Sequence, residues 1–206
     1  ARGRGDGYKR QGLGWSPPWI PPVWFYEEVG SKLFEEITML PEYYPTRAER
    51  AILRQYSDEI VGLAGVDTFV ELGAGSSEKT RLLLQAGLRD GRLERFVPVD
   101  CSATFLAACS ADLANAFPGL AIQGVVADFT SHLGHLVRSD ARMVMFLGST
   151  IGNFDREDRG AFLSEIAADQ GDNDCVLLGT DLVKSPERLV AAYDDPAGIT
   201  AAFNLK

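Results

Sequence analysis

The sequence has 206 residues, of which 46% are hydrophobic and 24% charged, with a formal net charge of −9 at pH 7. This length fits one domain with or without a small companion, and the hydrophobic content excludes wholesale disorder. The negative charge argues against nucleic acid or an anionic membrane as the main partner, and no apolar run reaches the roughly 20 residues of a membrane span. Three cysteines without a CxxC pair are typical of reduced thiols, so we expect a cytoplasmic location.

The first part of the chain is rich in aromatic residues and proline. Two Pro-Pro pairs within residues 17–22 exclude a regular helix there and predict an extended arm. Helical patterns follow over 31–39 and 46–64. Thr46 is the expected N-cap of the second helix, and Gly65 is its expected stop.

From residue 67 onward, short apolar runs alternate with helical patterns. The runs lack a period of two, so we expect parallel strands that are buried on both faces. The predicted strands cover 68–72, 96–100, 121–128, 141–148 and 174–181, and the predicted helices cover 76–89, 102–116, 156–169 and 186–195. This alternation indicates a doubly wound α/β sheet, in which ligands bind outside the carboxyl ends of the strands.

The stretch VELGAGSSEKTRLLL, residues 70–84, places Gly73 and Gly75 directly after the first predicted strand. Glu78 occupies the place of the third glycine of a dinucleotide fingerprint, and a P-loop sequence is absent. E-x-G-x-G, with Asp100 ending the second strand, is instead the pattern of S-adenosylmethionine-dependent methyltransferases. The glycines allow the backbone to approach a cofactor closely. A structural turn with helix-capping acids is the alternative interpretation.

Acids end the second and the third predicted strands. Asp100 can accept hydrogen bonds from both hydroxyls of a ribose. Asp128 can accept one from the adenine amino group, and Phe129 can pack on the adenine ring. These residues, together with the glycine turn, predict a site for S-adenosylmethionine.

Four longer stretches, PEYYPTRAE, VELGAGSSEKTRLLL, FLGSTIGNF and VLLGTDLVK…LVAAYDDPAGITAAFN, resemble the L-histidine N-alpha-methyltransferases of ergothioneine biosynthesis. They follow the order of that family and span nearly the whole chain. The resemblance implies that three methyl groups pass from S-adenosylmethionine to the α-amino group of free L-histidine, giving hercynine.

The resemblance also implies a division of the chain. A Rossmann-like class I methyltransferase sheet occupies 67–184, and a smaller, mainly helical substrate-binding part comprises 1–66 and the start of an insertion at 185–206. Family members continue further, so we expect a truncated chain with an incomplete sheet, whose imidazole-recognising residues lie beyond Lys206. We expect the complete protein to be a monomer.

The resemblance assigns site residues by motif. The residues that correspond to cofactor contacts are Gly73, Lys79, Asp100, Asp128 and Phe129. The residues that correspond to the substrate pocket are Tyr43, Asn153 and Tyr193, which hold histidine, and Phe34 and Tyr26, which lie near its amino group. Tyr26, or a water that it holds, is the candidate for orienting the amine. We assign no general base, because a sulfonium is already a strong electrophile and positioning is the main task.

Several alternatives stay open from the sequence. The chain is also consistent with a relative that methylates another amino acid, such as a prenylated tryptophan, or with an inactive cofactor-binding fragment. The predicted site residues also have structural interpretations. Tyr43 and Tyr193 are consistent with packing residues, Asn153 with a turn residue, and Lys79 with an exposed surface residue. His132 and His135 are spaced like metal ligands, but no nearby cysteine completes a zinc site, so we expect no metal.

Overall fold

The computed structural model describes residues 25–26, 28–129 and 139–205, together with Gly14 and Ser16. The Pro-Pro pairs of the predicted arm and the two histidines of HLGH lie outside these residues, so neither prediction is tested. Within the described ranges, no helix is long and apolar enough to cross a membrane.

One parallel sheet forms the centre of the fold. Its strands are β1 (Thr68–Leu72), β2 (Arg95–Asp100), β3 (Ala121–Ile122), β4 (Val125–Val126), β5 (Arg142–Phe146) and β6 (Cys175–Leu178). The strand order is β3-β2-β1-β5-β6, and β4 continues the β3 edge beside β2. The chain order therefore reverses between β1 and β5, which is where such sheets open a ligand crevice. The predicted doubly wound, Rossmann-like α/β fold is confirmed.

Helices cover the sheet and form a separate cluster beside it. They are α1 (Glu28–Met39), α2 (Tyr44–Ala64), α3 (Thr80–Asp90), α4 (Ala103–Ala116), α5 (Arg156–Asp169), α6 (Pro186–Tyr193) and α7 (Ile199–Leu205), with a 3-10 turn at Thr150–Asn153. Side chains of α2, α3 and α4 pack on one face of the sheet, and side chains of α5 pack on the other. This two-sided burial explains why the strand sequences show no alternation.

A third apolar cluster joins the two ends of the described chain. Ile37 and Phe34 of α1 pack with Tyr43, with Ala192 of α6 and with Phe203 of α7. The N-terminal and C-terminal helices thus form one body beside the sheet. The boundaries at 66 and 184 stay a prediction.

Three predicted helix starts are wrong. The first helix, expected from residue 31, begins at Glu28. The helix expected from residue 76 begins at Thr80, because the preceding turn contains left-handed residues up to Ser77. Thr46 is not the N-cap of α2, which begins at Tyr44 with Pro45 in its first turn, where the missing N–H of proline has no helical acceptor to lose. Gly65 ends that helix as predicted, with a φ of 64°.

The strand predicted over 121–128 is interrupted between β3 and β4. At Gly124 the backbone approaches α4 so closely that a Cβ would lie 2.9 Å from Ser110 Oγ and 3.2 Å from Leu106 Cγ. The apolar pattern could not reveal this contact, because it depends on where α4 packs.

The turn after β1 holds three left-handed residues within five positions. Gly73, Gly75 and Ser77 have φ values of 70°, 53° and 51°. Such a conformation is unfavourable for a serine and persists only where its surroundings fix it. The fixing group is Glu71, a buried residue of β1, whose carboxylate accepts hydrogen bonds from the hydroxyls of Ser77 (3.1 Å) and Thr80. The acid of E-x-G-x-G therefore supports the turn from below.

Burial raises the pKa of Glu71 from its ordinary value of 4.5 to about 7, although the hydroxyls of Thr80 and Ser77 and the charge of Lys79 oppose the rise. Desolvation wins because the carboxylate has no access to water at the base of the turn. The turn thus rests on a group that titrates near neutrality.

The opposite, amino-terminal edge of the sheet contains a buried charge cluster. The guanidinium of Arg142 donates from Nε to Asp174 Oδ2 (2.9 Å) and from Nη2 to Asp169 Oδ2 (2.8 Å). Burial opposes ionisation of Asp174, but hydrogen bonds from the backbone of Gly171 and Arg142 and from the guanidinium lower its pKa. The cluster joins the start of β5 to the end of α5 and the start of β6.

Replacing Asp174 with alanine should lower the free energy of unfolding by about 3–5 kcal/mol, because it leaves Arg142 buried without one of its counter-charges. Urea unfolding followed by circular dichroism measures this change. Asp58→Ala is the matched control. It removes a pair with Arg89 in which both side chains are more than half exposed, and it should cost less than about 1 kcal/mol. Equal losses in the two variants would contradict the assignment.

Glu71→Gln should flatten the pH dependence of stability between pH 4.5 and about 7. In that window the folded protein binds more protons at Glu71 than the unfolded chain does, so stability falls as pH rises. The total loss is on the order of 3 kcal/mol, from the size of the pKa change. Unfolding midpoints measured at several pH values test this. Glu78→Gln, at an exposed carboxylate beside the same turn, should leave the slope unchanged.

Candidate active site

Asp100, at the carboxyl end of β2, faces the glycine turn. Its Oδ2 accepts a hydrogen bond from the backbone N–H of Gly75 (3.0 Å), and its Oδ1 accepts one from that of Ser102 (3.0 Å). A carboxylate has about four acceptor positions, so each oxygen keeps capacity for another donor. The carboxylate is thus held in place and remains able to accept a pair of hydroxyls.

Phe129 and Asp128 follow β4 on the same edge. A Cβ on Gly73 would lie 3.3 Å from Phe129 Cε1, so the absence of a side chain at Gly73 lets the ring pack against the turn. The ring also contacts Phe146, with 5.4 Å between centroids. Asp128 lies near Cys101, whose thiol pKa is raised to about 12, mainly by burial and then by Asp100.

Lys79 lies at the start of α3 and forms an ion pair with Glu49 of α2. Its Nζ is also 3.5 Å from the position that a Cβ on Gly148 would occupy. The structure therefore places Lys79 between the glycine turn and the loop after β5, with its charge already balanced by a residue of the helical part. Glu49 was not among the predicted site residues.

A cavity of about 280 Å³ opens beside this region, between α1, α7 and the turn after β5. All five predicted pocket residues line it: Tyr26, Phe34, Tyr43, Asn153 and Tyr193. They come from four separate stretches of the chain, so only the fold brings them together.

Aromatic rings form most of the cavity wall. Ring centroids are 5.4 Å apart for Tyr26 and Phe34, 6.1 Å for Phe34 and Tyr43, and 5.7 Å for Tyr43 and Tyr193. Phe203, which sequence reasoning missed, completes the wall at 5.5 Å from Tyr26. Its only sequence signal was an apolar position in a short helix, which is indistinguishable from ordinary packing.

Buried phenols in the cavity are neutral at physiological pH. Burial, followed by the neighbouring Tyr193, raises the pKa of Tyr26 to about 12 and raises that of Tyr43 well above its usual range. These hydroxyls can therefore donate and accept hydrogen bonds, and they are poorly suited to act as anionic bases.

Helix α7, which carries Phe203, is fixed by a buried cap. The side chain of Asp195 accepts hydrogen bonds from the backbone N–H groups of Thr200 (2.7 Å) and Ile199 (3.1 Å). The nearby Thr200 side chain, followed by these backbone hydrogen bonds, lowers the pKa of Asp195 to about 2. The cap orients α7 so that Thr200 and Phe203 line the cavity. The DDPAG sequence before the helix gave no indication of this role.

The chain is similar in sequence to known methyltransferases. A family model described as "Histidine-specific methyltransferase, SAM-dependent" matches residues 9–206. The histidine N-alpha-methyltransferase of Mycolicibacterium smegmatis is 54% identical over 196 residues, which cover 95% of this chain and 61% of that protein. Ergothioneine biosynthesis protein 1 of Neurospora crassa is 32% identical over 194 residues, covering 92% of this chain and 22% of that protein.

A solved structure of a methyltransferase from Thermobifida fusca shares the fold, with a TM-score of 0.51 at 14% identity over 82% of this chain and 74% of that one. The chain spans less than two thirds of the length of its bacterial relative. The family predicted from the four sequence stretches is confirmed. The chain belongs to the histidine-specific, S-adenosylmethionine-dependent methyltransferases.

Proposed function

We propose that the protein containing this chain transfers methyl groups from S-adenosylmethionine to the α-amino group of free L-histidine, three times, giving hercynine for ergothioneine biosynthesis. The observation that carries the proposal is the common cavity of Tyr26, Phe34, Tyr43, Asn153 and Tyr193, which opens beside the end of β5. Family membership supports the same reaction.

The residues at the strand ends fit the cofactor. The absence of a side chain at Gly73 lets the ring of Phe129 pack against the turn, and the carboxylate of Asp100 has the acceptor capacity that two ribose hydroxyls need. Asp128 and Phe129 would hold the adenine, and the ammonium of Lys79 would attract the carboxylate of the methionyl part. When bound, S-adenosylmethionine supplies an electrophilic methyl group on a sulfonium sulfur.

The chain's own residues then position the amine. Only the neutral amine has a lone pair, and its ordinary pKa is about 8 in peptides. A cation beside it favours this neutral form. Tyr26 has a neutral phenol that can accept a hydrogen bond from the amine and orient it. The contribution of the site is thus proximity and orientation, with no strong base.

The remaining pocket residues match the other parts of the substrate. Phenol hydroxyls of Tyr43 and Tyr193 suit the carboxylate, and Asn153 offers both a donor and an acceptor to the carboxylate or the amine. The rings of Tyr26, Phe34 and Phe203 favour an alkylated ammonium through cation–π attraction. This attraction holds the methylated product in the cavity. The ammonium formed by each of the first two transfers loses its proton to water before the next transfer, and the third transfer leaves a permanent cation.

Asn153→Ala should weaken histidine binding by roughly 10–100-fold, the loss expected when hydrogen bonds to a charged ligand are removed. It should leave the affinity for S-adenosylhomocysteine unchanged, because Asn153 lies on the substrate side. Isothermal titration calorimetry measures both affinities in the complete protein. Asn173→Ala, near the opposite end of the sheet, is the matched control. Equal loss of both ligands in Asn153→Ala would contradict the assignment.

Asp100→Asn should weaken binding of S-adenosylhomocysteine by roughly 10–100-fold, because an amide oxygen cannot replace both carboxylate oxygens toward the backbone and the ribose. The same titration measures the effect. Asp140→Asn is the matched control. It changes an exposed carboxylate just before β5, at the opposite, amino-terminal edge of the sheet, and should leave the affinity unchanged. Wild-type affinity in Asp100→Asn would remove Asp100 from the cofactor site.

The reaction itself is tested by mass spectrometry after incubation with S-adenosylmethionine and a mixture of all free amino acids. Histidine alone should gain up to three methyl groups. Methylation of a different amino acid, such as a tryptophan derivative added to the mixture, would overturn the substrate and keep the fold and mechanism. Incubation of this chain and of the complete protein in parallel shows whether these 206 residues suffice.

A further inference from the structure

Glu49 brings a carboxylate from the helical part of the fold to the carboxyl ends of the strands. It lies in the second turn of α2, and its side chain is only 14% exposed. One oxygen, Oε1, accepts a hydrogen bond from the backbone N–H of Gly148 (2.8 Å), and the other, Oε2, pairs with the ammonium of Lys79. Glu49 therefore touches both the loop after β5 and a predicted cofactor residue.

The carboxylate of Glu49 also lies close to Gly179, where the absence of a side chain leaves space for it. A Cβ on Gly179, directly after β6, would lie 2.3 Å from Glu49 Oε1 and 3.2 Å from Leu147 Cα. An alanine at this position would displace the carboxylate, because the Leu147 backbone cannot move away. The space beyond β6 is thus matched to the side chain of Glu49.

The loop that Glu49 holds is strained. Gly148 and Ser149 are consecutive left-handed residues, with φ values of 76° and 59°. Such a pair requires support from outside the loop. That support comes from Glu49 at the Gly148 amide and from Asp181, whose backbone N–H donates to Ser149 Oγ (2.9 Å). The same loop leads into the 3-10 turn that ends at Asn153, so its conformation sets where Asn153 enters the cavity.

The contact with Lys79 has a comparable effect on the cofactor side. An ammonium has three donors and turns freely on a flexible stem. Pairing with Glu49 fixes its position at the rim of the glycine turn and leaves the other N–H groups available. The same pairing keeps the charge of Lys79 balanced in the absence of an anionic ligand.

We propose that Glu49 is a positioning residue that links the two halves of the site, holding Lys79 for the cofactor with one oxygen and the Gly148–Ser149 turn for the amino acid with the other. The inference rests on the proposed function and adds a residue to it. It makes cofactor and amino-acid binding interdependent, because both depend on the position of one carboxylate.

Two substitutions separate the two contacts. Glu49→Ala removes both, whereas Glu49→Gln keeps an oxygen for the Gly148 amide and loses the charge opposite Lys79. In the complete protein saturated with S-adenosylhomocysteine, Glu49→Ala should weaken histidine binding at least about tenfold and Glu49→Gln less than about threefold. Lys79→Met should weaken S-adenosylhomocysteine binding more than Glu49→Gln does, because it removes the ammonium itself. The double variant should bind no more weakly than Lys79→Met alone, because Glu49 acts on the cofactor through Lys79.

A spectroscopic readout does not depend on ligand binding. The Gly148 amide proton, which donates to a carboxylate, should move upfield in nitrogen–proton correlation spectra of Glu49→Ala and stay nearly in place in Glu49→Gln. Gly179→Ala should reproduce the upfield shift and the loss of histidine affinity, because it displaces the same carboxylate. Glu59→Ala, at an exposed glutamate of the same helix, is the matched control and should change neither.

Three results would overturn the proposal. They are wild-type affinities in Glu49→Ala, an unshifted Gly148 amide in Glu49→Ala, and equal loss of histidine binding in Glu49→Gln and Glu49→Ala. If the unsubstituted protein bound S-adenosylhomocysteine but no histidine, the proposed substrate would fail. The Gly148 amide and the Lys79 cycle would still decide the role of Glu49.

Discussion

The buried carboxylate of Glu71 is the group on which the turn after β1 depends. It holds a turn with three left-handed residues by accepting hydroxyl hydrogen bonds from beneath it. With the turn fixed, the Gly75 amide reaches Asp100, and the ends of β1 and β2 become one rigid unit. Because Gly73 has no side chain, the ring of Phe129 packs against the same turn.

The loop after β5 follows the same physical design. Gly148 and Ser149 again adopt left-handed conformations, and the groups that stabilise them come from outside the loop. The ligand crevice is therefore bounded by two strained turns on neighbouring strands, at the point where strand order reverses. Each turn donates hydrogen bonds to a largely buried carboxylate, that of Glu71 for the first turn and that of Glu49 for the second.

Sequence patterns predicted the sheet and most helices, because two-sided burial is local in sequence. The five residues that resemblance assigned to a pocket line one cavity. Sequence patterns failed where the determining contact is distant in the chain. The break at Gly124 depends on α4, and the late start of α3 depends on Glu71. Glu49 was missed for the same reason. In PTRAERAILRQ it has the pattern of a solvent-exposed charge on a helix, and only the fold brings it to Lys79.

The cavity is lined by residues from chain regions that lie far apart in the sequence. Phe34 and Phe203 come from helices that contribute nothing to the sheet, whereas Asn153 comes from the loop that Glu49 ties to Lys79. Side chains on α1 and α7 can therefore be exchanged during evolution without disturbing the strand ends. A change near Asn153 affects both the cavity and the contact between Glu49 and Lys79. The shape of the helical wall can therefore diverge while the strand ends stay the same.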